Sequence, residues 1–241
     1  MKQFKFVANA LVFVSMFTFF ISCQSGENKK VDANVMTDSS AVTEAEPAAK
    51  QVLVALVKHK VANFDKWKAI YDGHDSARLA FGLHSIVVSR GMDDPNMVMI
   101  SMRADDLARA KEFFDQPELK ATMQKGGVIG DPTISFLDVQ MLDTTKSPVM
   151  ARLMMKHNVK DWDSWKKEFD SHKDVRMAAG LSDKAVGYDV GNNKAVTIVF
   201  VVDDMKKAKD FLASKDLKEK MEAAGVEGPP VSYFYNIAQL Y

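Results

Sequence analysis

The chain has 241 residues, of which 47% are hydrophobic and 27% are charged, and its 32 basic residues balance its 32 acidic ones. Because there is no excess of positive charge, the composition gives no sign of a nucleic-acid partner, which would require a basic surface. The single cysteine, Cys23, excludes an intramolecular disulfide and also a thiol-based catalytic or metal site in the folded part that follows it.

The first 22 residues have the pattern of a secretory signal peptide. Two lysines precede an apolar segment from residue 6 to residue 21, which is shorter than the roughly 20 residues that a membrane-spanning helix needs. The four residues 20–23, Phe-Ile-Ser-Cys, resemble the lipobox of bacterial lipoproteins, with Phe20 where leucine is usual. This resemblance implies that the segment is removed and that Cys23 becomes a lipidated N-terminus.

The residues after the signal segment predict a tether and a location. Residues 23–50 are polar, rich in Ala, Ser, Glu, Asp and Lys, and without apolar periodicity, which is typical of a flexible linker. The lipobox resemblance implies that acyl chains on Cys23 attach the protein to a membrane. Gln24 is not the aspartate that favours inner-membrane retention in the best-known sorting rule, so we expect the outer membrane of the cell envelope.

The remaining sequence consists of two copies of one unit. Residues 51–143 align with residues 149–241 at a constant offset of 98 and without a gap. Identical pairs include Asp72/Asp170, Gly82/Gly180, Ala110/Ala208, Phe113/Phe211, Gly127/Gly225 and Pro132/Pro230. The fixed offset predicts two structurally equivalent repeats, and the short polar joint between them predicts that the repeats pack against each other.

Each copy is predicted to have the element order βαββαβ. In the first copy the predicted strands are residues 52–57, 85–89, 97–102 and 133–139, and the predicted helices are residues 64–81 and 105–125. Asn63 is a suitable cap for the first helix and Gly82 is a suitable stop. Pro117 is expected to restart the second helix, since proline is tolerated in a first turn.

This order predicts a split βαβ unit whose four-stranded sheet has helices on one face only. An apolar sheet face without cover would expose a large patch, so the second copy is expected to cover it. The fold class is therefore α+β, with tandem ferredoxin-like βαββαβ repeats that form an intramolecular, pseudo-dimeric α+β barrel. We expect a monomer with a pseudo-twofold axis and four helices on the outside.

Residues 59–82 contain the motif H-x-V-x-x-F-D-x-W-K-x-x-Y-D-x-H-x-x-x-R-x-x-x-G. This motif resembles a branch of the dimeric α+β barrel superfamily, to which the antibiotic-biosynthesis monooxygenases belong, and the resemblance covers both copies. The superfamily's cofactor-free oxygenases and haem-degrading enzymes typically use an Asn on the first strand, a Trp on the third and a His on the second helix. This chain has no Asn in residues 52–58 and no His in residues 105–125, so the resemblance does not carry those activities over.

A candidate ligand site is present once in each copy. The candidate ligand-binding residues are His59, Trp67, His74 and Arg78 in the first copy and His157, Trp165, His172 and Arg176 in the second. Such a set suits a small anionic or aromatic ligand, because Arg binds carboxylates, His exchanges a proton and Trp supplies an apolar wall.

The same residues also have a purely structural interpretation. Aromatic residues at helical spacing are typical of a core, and His74 and Arg78 could satisfy the last carbonyls of a helix. Asp65 and Asp72 could pair with Lys68 and Arg78 across helical turns. Neither a recognisable metal-ligand spacing nor a phosphate-binding loop is present in the sequence, so no metal or cofactor is predicted.

Three functions are consistent with these patterns. The first is a ligand-binding module tethered to the cell envelope, with a small molecule as its partner. The second is a monooxygenase-like enzyme that acts on a small hydrophobic or aromatic compound in two equivalent pockets. The third is a structural protein of the envelope, without a ligand. The sequence identifies neither the ligand nor a catalytic residue.

Overall fold

The computed structural model describes residues 52–241, so the predicted signal peptide, Cys23 and the tether lie outside the described residues. The elements of the first repeat are β1 (Val52–Val61), α1 (Phe64–Gly73), α2 (Asp75–Ala80), β2 (Leu83–Gly91), β3 (Met97–Ala104), α3 (Leu107–Phe114), α4 (Pro117–Lys125) and β4 (Val128–Leu142). The elements of the second repeat are β5 (Ala151–Val159), α5 (Trp162–Ser171), α6 (Lys173–Ala178), β6 (Leu181–Asp189), β7 (Asn192–Val202), α7 (Met205–Leu212), α8 (Lys215–Ala223) and β8 (Val226–Leu240).

The eight strands close into one antiparallel barrel in the order β1-β3-β2-β8-β5-β7-β6-β4. Two seams join the repeats, β2 with β8 and β4 with β6. In the first seam Val87 lies opposite Leu240, and in the second Ala185 lies opposite Leu142. Val87 and Ala185 occupy equivalent positions in the two repeats, as do Leu142 and Leu240, so the two seams have the same register. This symmetry confirms the predicted pseudo-dimeric α+β barrel.

The alternation of side chains along each strand divides the core into three parts. On β1, Val57 and His59 face the helices of their own repeat, whereas Leu56 faces the barrel interior. The interior is filled by side chains from both repeats, including Met99, Leu137, Met154 and Tyr235, whose exposed fractions are 7% or less. Each repeat therefore has its own core between its sheet and its helices, and the two repeats share a third core inside the barrel.

The helices differ from the prediction in number. The predicted helix 64–81 is broken at His74, whose φ of −101° and ψ of 16° are not helical, and α1 and α2 result. Arg78 stabilises the break, because its Nη1 donates a hydrogen bond to the carbonyl oxygen of Tyr71 at 2.6 Å, near the end of α1. The predicted restart at Pro117 is confirmed and separates α3 from α4, and residues 52–241 contain eight helices in all, so the expectation of four is wrong. No helix within these residues is long and apolar enough to span a membrane.

The predicted caps and stops at the helix ends are present. The Asn63 side chain accepts a hydrogen bond from the amide of Lys66 at 2.9 Å, and Asp161 does the same for Ser164 in the second repeat at 2.9 Å. Gly82 follows α2 with a φ of +72°, a left-handed conformation that favours glycine. These local signals determine where the helices begin and end.

Candidate functional site

Each repeat has a cavity between its sheet and its helices, and the two cavities occupy equivalent positions. The first cavity, of about 50 Å³, is lined by Val57, His59, Trp67, Ile70, Tyr71, His74, Arg78, Ile100, Met102, Phe113, Phe114, Leu119, Thr122 and Met123. The second cavity, of about 70 Å³, is lined by Met155, His157, Trp165, Glu168, Phe169, His172, Arg176, Leu181, Ile198, Phe200, Phe211, Leu212, Leu217, Lys220, Met221, Ala224 and Val226. A water molecule needs roughly 10–15 Å³ by the same measure, so each cavity has room for a small organic molecule.

The structure brings all eight candidate ligand-binding residues to these two cavities, four to each. In each repeat one histidine comes from the first strand, β1 or β5, and the other three residues come from the helix pair α1–α2 or α5–α6 and its junction. Whether they bind a ligand stays a prediction. The helices α3 and α4, and α7 and α8, provide most of the opposite wall with apolar side chains.

The strand histidine is the most unusual group in each cavity. His59 is 4% exposed and His157 is 8% exposed, and neither ring nitrogen of either residue has a hydrogen-bond partner among the described residues. Burial disfavours the charged imidazolium and lowers the pKa of both histidines to about 4. Both rings are therefore neutral at pH 7, with an N–H donor and a nitrogen acceptor that bond to no group of residues 52–241.

An aromatic column connects this histidine to the arginine. In the first cavity the His59 and Trp67 rings meet edge to face at 5.4 Å, and Trp67 stacks on Tyr71 at 5.1 Å. The guanidinium carbon of Arg78 lies 3.8 Å from the centre of the Tyr71 ring. The column forms one continuous wall, apolar in the middle and polar at both ends.

The second cavity repeats this column with one replacement. The His157 and Trp165 ring centres are 5.5 Å apart, Trp165 stacks on Phe169 at 5.0 Å, and the Arg176 guanidinium carbon lies 3.6 Å from the Phe169 ring centre. Phe169 takes the place of Tyr71, so the column lacks a hydroxyl here. The same aromatic rings belong to the core and line the cavity, so this geometry agrees with the structural interpretation and leaves the ligand-binding interpretation a prediction.

The arginines differ more strongly in their partners. Arg176 donates from Nε and Nη2 to the two carboxylate oxygens of Asp183 on β6, at 2.9 and 2.7 Å, and from Nη1 to the carbonyl of Phe169. The Arg176 and Asp183 side chains are 5% and 10% exposed. Arg78 instead pairs with Asp75, whose side chain is 49% exposed, through Nη2 at 3.0 Å. Its buried Nε has no partner among residues 52–241.

The acidic partner of Arg78 also differs from the one the sequence suggested. Asp72, a candidate partner from the sequence, instead accepts a hydrogen bond from Lys68 at 2.5 Å and another from the Tyr241 hydroxyl at 2.7 Å. Asp75 lies in the first turn of α2, three residues before Arg78, whereas Asp72 lies in α1, six residues before it. The Lys68 to Asp72 pair itself agrees with the helical spacing of four.

The helix-junction histidines lie near the edge of the cavities. The pKa of His74 is lowered by burial and by the nearby positive charge of Arg78. The ring of His74 lies 6.1 Å from that of Phe113, whereas Nε2 of His172 lies 3.8 Å from an Asp216 carboxylate oxygen. Within residues 52–241 no group of three or more His, Cys, Asp or Glu side chains could hold a metal ion.

Sequence reasoning missed the positions that control the arginine. Ser85 stands where Asp183 stands in the second repeat, and it shares a hydrogen bond with the Tyr71 hydroxyl at 2.7 Å. Both positions lie on the strand after the helix pair, opposite the column. A signal was available, because aligning the copies at the offset of 98 shows Tyr71 and Ser85 paired with Phe169 and Asp183.

Comparisons with known proteins bear on the fold. No protein-family model matches the chain, and a comparison with curated proteins finds no match. Among solved structures, a candidate monooxygenase from Lactobacillus acidophilus is 13% identical with a TM-score of 0.52, and the alignment covers 79% of this chain and 96% of that one. A candidate monooxygenase from Fusobacterium nucleatum is 11% identical with a TM-score of 0.54, covering 79% and 94%.

An anthrone oxidase-like protein is 12% identical with a TM-score of 0.56, covering 79% of this chain and 92% of the other. At these identities the likeness concerns the fold, and activities stay with the proteins that carry them. Together with the closed eight-stranded topology, these likenesses lead to one conclusion: the chain has the dimeric α+β barrel fold that its sequence resembles, with both halves supplied by a single chain.

Proposed function

We propose that this protein is a lipoprotein of the cell envelope whose duplicated barrel binds a small, largely apolar ligand in each of its two cavities. One observation carries the binding part of the proposal. Each cavity contains a buried neutral histidine, His59 or His157, with both ring nitrogens unpaired within the described residues.

The energetic reason is that a buried polar group without a partner costs about 1–3 kcal/mol. Both repeats carry this cost at the same place, beside the same tryptophan. A ligand with a hydroxyl, carbonyl or carboxylate group would remove the cost by bonding to the imidazole. Its apolar part would lie along the aromatic column, which supports an aromatic or otherwise flat ligand.

The pKa of the histidines favours binding over proton-transfer catalysis. A general base works best when its pKa is near the working pH, whereas burial holds the pKa of His59 and His157 at about 4. A monooxygenase-like reaction on a small hydrophobic or aromatic compound is the second candidate. The aromatic column in each largely apolar cavity supports it, since such a lining suits a small hydrophobic or aromatic compound.

Native mass spectrometry tests the binding proposal. The full-length protein, purified in mild detergent from its own membranes, is expected to carry up to two small molecules per chain. The matched control is the variant His59→Phe/His157→Phe, which keeps the ring packing on Trp67 and Trp165 and removes the ring nitrogens. We expect the control to carry none. A wild-type protein without bound molecules would favour a structural role, and turnover of the recovered molecule would favour the enzyme.

The envelope location has its own test. We expect radiolabelled palmitate to be incorporated into the wild-type chain and not into Cys23→Ser, because that cysteine is the predicted acylation site. Fractionation is expected to place the wild-type protein in the outer membrane and the variant in the soluble fraction. Unlabelled wild-type protein would contradict the lipoprotein proposal without affecting the ligand proposal.

A further inference from the structure

The two cavities differ in the charge that they offer to a ligand. In the second cavity the Arg176 charge is met by the carboxylate of Asp183, whose side chain is 10% exposed, with two hydrogen bonds of 2.9 and 2.7 Å. The exposed Glu168 and Lys220 also line this cavity, and their charges have opposite signs. The second cavity is therefore electrically balanced from within the protein.

The first cavity has no such balance. Its lining contains Arg78 and no carboxylate. The acid that pairs with Arg78 is Asp75, which is half exposed and bonds to the outer nitrogen Nη2 only. The Nε of Arg78, a residue that is 3% exposed, has no partner in the described part of the chain. A buried guanidinium N–H without an acceptor is unfavourable, and a carboxylate is the acceptor that binds it most strongly.

Three replacements around the arginine accompany this difference, and one of them places Asp75 where the second repeat has Lys173. Ser85 lies at the position of Asp183, so the first repeat lacks the internal carboxylate, and Tyr71 lies at the position of Phe169. Ser85 and Tyr71 bond to each other at 2.7 Å beside the guanidinium group, and between them they hold one hydroxyl proton that is not used in that bond. The first repeat thus has a hydroxyl donor next to the Arg78 guanidinium group, at the place where the second repeat has the carboxylate of Asp183.

We propose, building on the function above, that the two cavities bind different classes of ligand. The first cavity takes a small apolar carboxylate, whose charge pairs with Arg78 and whose apolar part lies against Trp67. The second cavity takes a neutral molecule of similar shape, because Asp183 already occupies the corresponding face of Arg176. The duplication has thereby produced one chain with two specificities.

Benzoate and benzamide are suitable probes, because they have nearly the same shape and differ in charge. Methionine methyl groups report the cavities separately by ¹³C NMR, since Met102 and Met123 line the first and Met155 and Met221 line the second. The full-length protein is titrated with each probe, and single Met→Leu variants assign the four signals. We expect benzoate to shift the first pair at about tenfold lower concentration than benzamide does, and the second pair to show no such preference.

Exchange of the residues at the Tyr71/Phe169 and Ser85/Asp183 positions provides matched variants. Tyr71→Phe/Ser85→Asp gives the first cavity the residues of the second at these two positions and is expected to remove the benzoate preference. Phe169→Tyr/Asp183→Ser makes the reverse change at the same two positions and is expected to create that preference in the second cavity. The two variants act on different repeats, so poor folding of one leaves the other as a test.

The outcomes separate this inference from the proposed function. If both probes shift both pairs of methyl groups with the same preference, or if neither exchange moves the preference, the two-specificity inference is wrong while ligand binding stands. If neither probe shifts any of the four signals up to its solubility limit, both are overturned. A benzoate preference confined to the first cavity and transferred by the exchange would establish the inference.

Discussion

The two repeats have the same backbone and the same histidine and tryptophan, yet they treat their buried arginine differently. In the second repeat Asp183 neutralises Arg176 inside the protein, and in the first repeat Arg78 relies on the half-exposed Asp75. The geometry of a cavity is therefore fixed by the strands, helices and aromatic column, whereas its charge depends on the few charged side chains placed around the arginine. A duplicated repeat can therefore keep the geometry of its cavity while the charge of that cavity changes.

Removal of the arginines is expected to separate the repeats most clearly. Arg176→Met leaves Asp183 buried without its partner, and we expect a loss of about 3–5 kcal/mol in the free energy of unfolding. Arg78→Met leaves Asp75 in contact with water, so we expect a smaller loss of about 1–2 kcal/mol in the free energy of unfolding, from the lost hydrogen bonds. Urea unfolding measures both. In the double variant Arg176→Met/Asp183→Leu much of the loss should be regained; equal losses for the two single variants would contradict the comparison.

Acid is expected to act on both repeats alike. The unfolded chain takes up protons on His59 and His157 below pH 6.5, whereas the folded chain resists protonation until about pH 4. The free energy of unfolding therefore falls as the pH is lowered through this window, by about 2 kcal/mol for each histidine between pH 7 and pH 5. Urea midpoints at the two pH values test this.

The single variants His59→Phe and His157→Phe serve as controls for the acid effect. Each is expected to lose about half of the pH dependence that the two histidines cause together, because their burial and surroundings are nearly the same. If one variant abolished the whole dependence and the other none, the two cavities would differ in a way that the structure does not show.

The hydroxyl pair of the first repeat should have a smaller effect. Tyr71→Phe removes the hydrogen bond to Ser85 and leaves that hydroxyl partly buried, so we expect a loss of about 1 kcal/mol. Phe169→Tyr places a hydroxyl near Asp183, which is already bonded to Arg176, and no gain of the same size is expected. Thermal unfolding at pH 7 compares them, and a stabilised Phe169→Tyr protein would count against the role assigned to Ser85.

Helix capping gives the smallest difference between the repeats. Ser214 caps α8 by accepting a hydrogen bond from the amide of Leu217 at 3.2 Å, whereas the side chain of Gln116 makes no such bond at the start of α4. We expect Ser214→Ala to lower the free energy of unfolding by about 0.5–1 kcal/mol and Gln116→Ser to raise it by a similar amount. Both are measured by urea unfolding, and a destabilised Gln116→Ser would show that Pro117 already sets this helix start.

Much of the fold could be predicted because its signals are local or repeated. The strands carry apolar runs, Asn63 and Gly82 mark the ends of the first helical segment, and the constant offset reveals the duplication. The break at His74 could not be read in the same way. It depends on Arg78 reaching back to the Tyr71 carbonyl, and a contact between a side chain and the backbone seven residues away leaves no periodic pattern.

The candidate site was predictable as a set of residues and not as an electrostatic arrangement. The duplicated histidines, tryptophans and arginines are visible in the sequence, and the structure brings four of them to each cavity. The partner of each arginine depends on the facing strand, which the sequence places only approximately. The unpaired state of His59 depends on which of its neighbours carry polar atoms, and this is a property of packing in three dimensions.

The two seams of the barrel have a consequence for synthesis. Leu142 ends the first repeat, and Leu240, which pairs with Val87, is made 98 residues later. At about 5–20 residues per second, roughly 5–20 s pass between the completion of β4 and that of β8, and β2 keeps an unpaired edge during this time. Unpaired edges join readily to other chains. Since each seam uses one strand from each repeat, two neighbouring nascent chains could exchange their second repeats and form a swapped dimer through the same contacts that close the monomer.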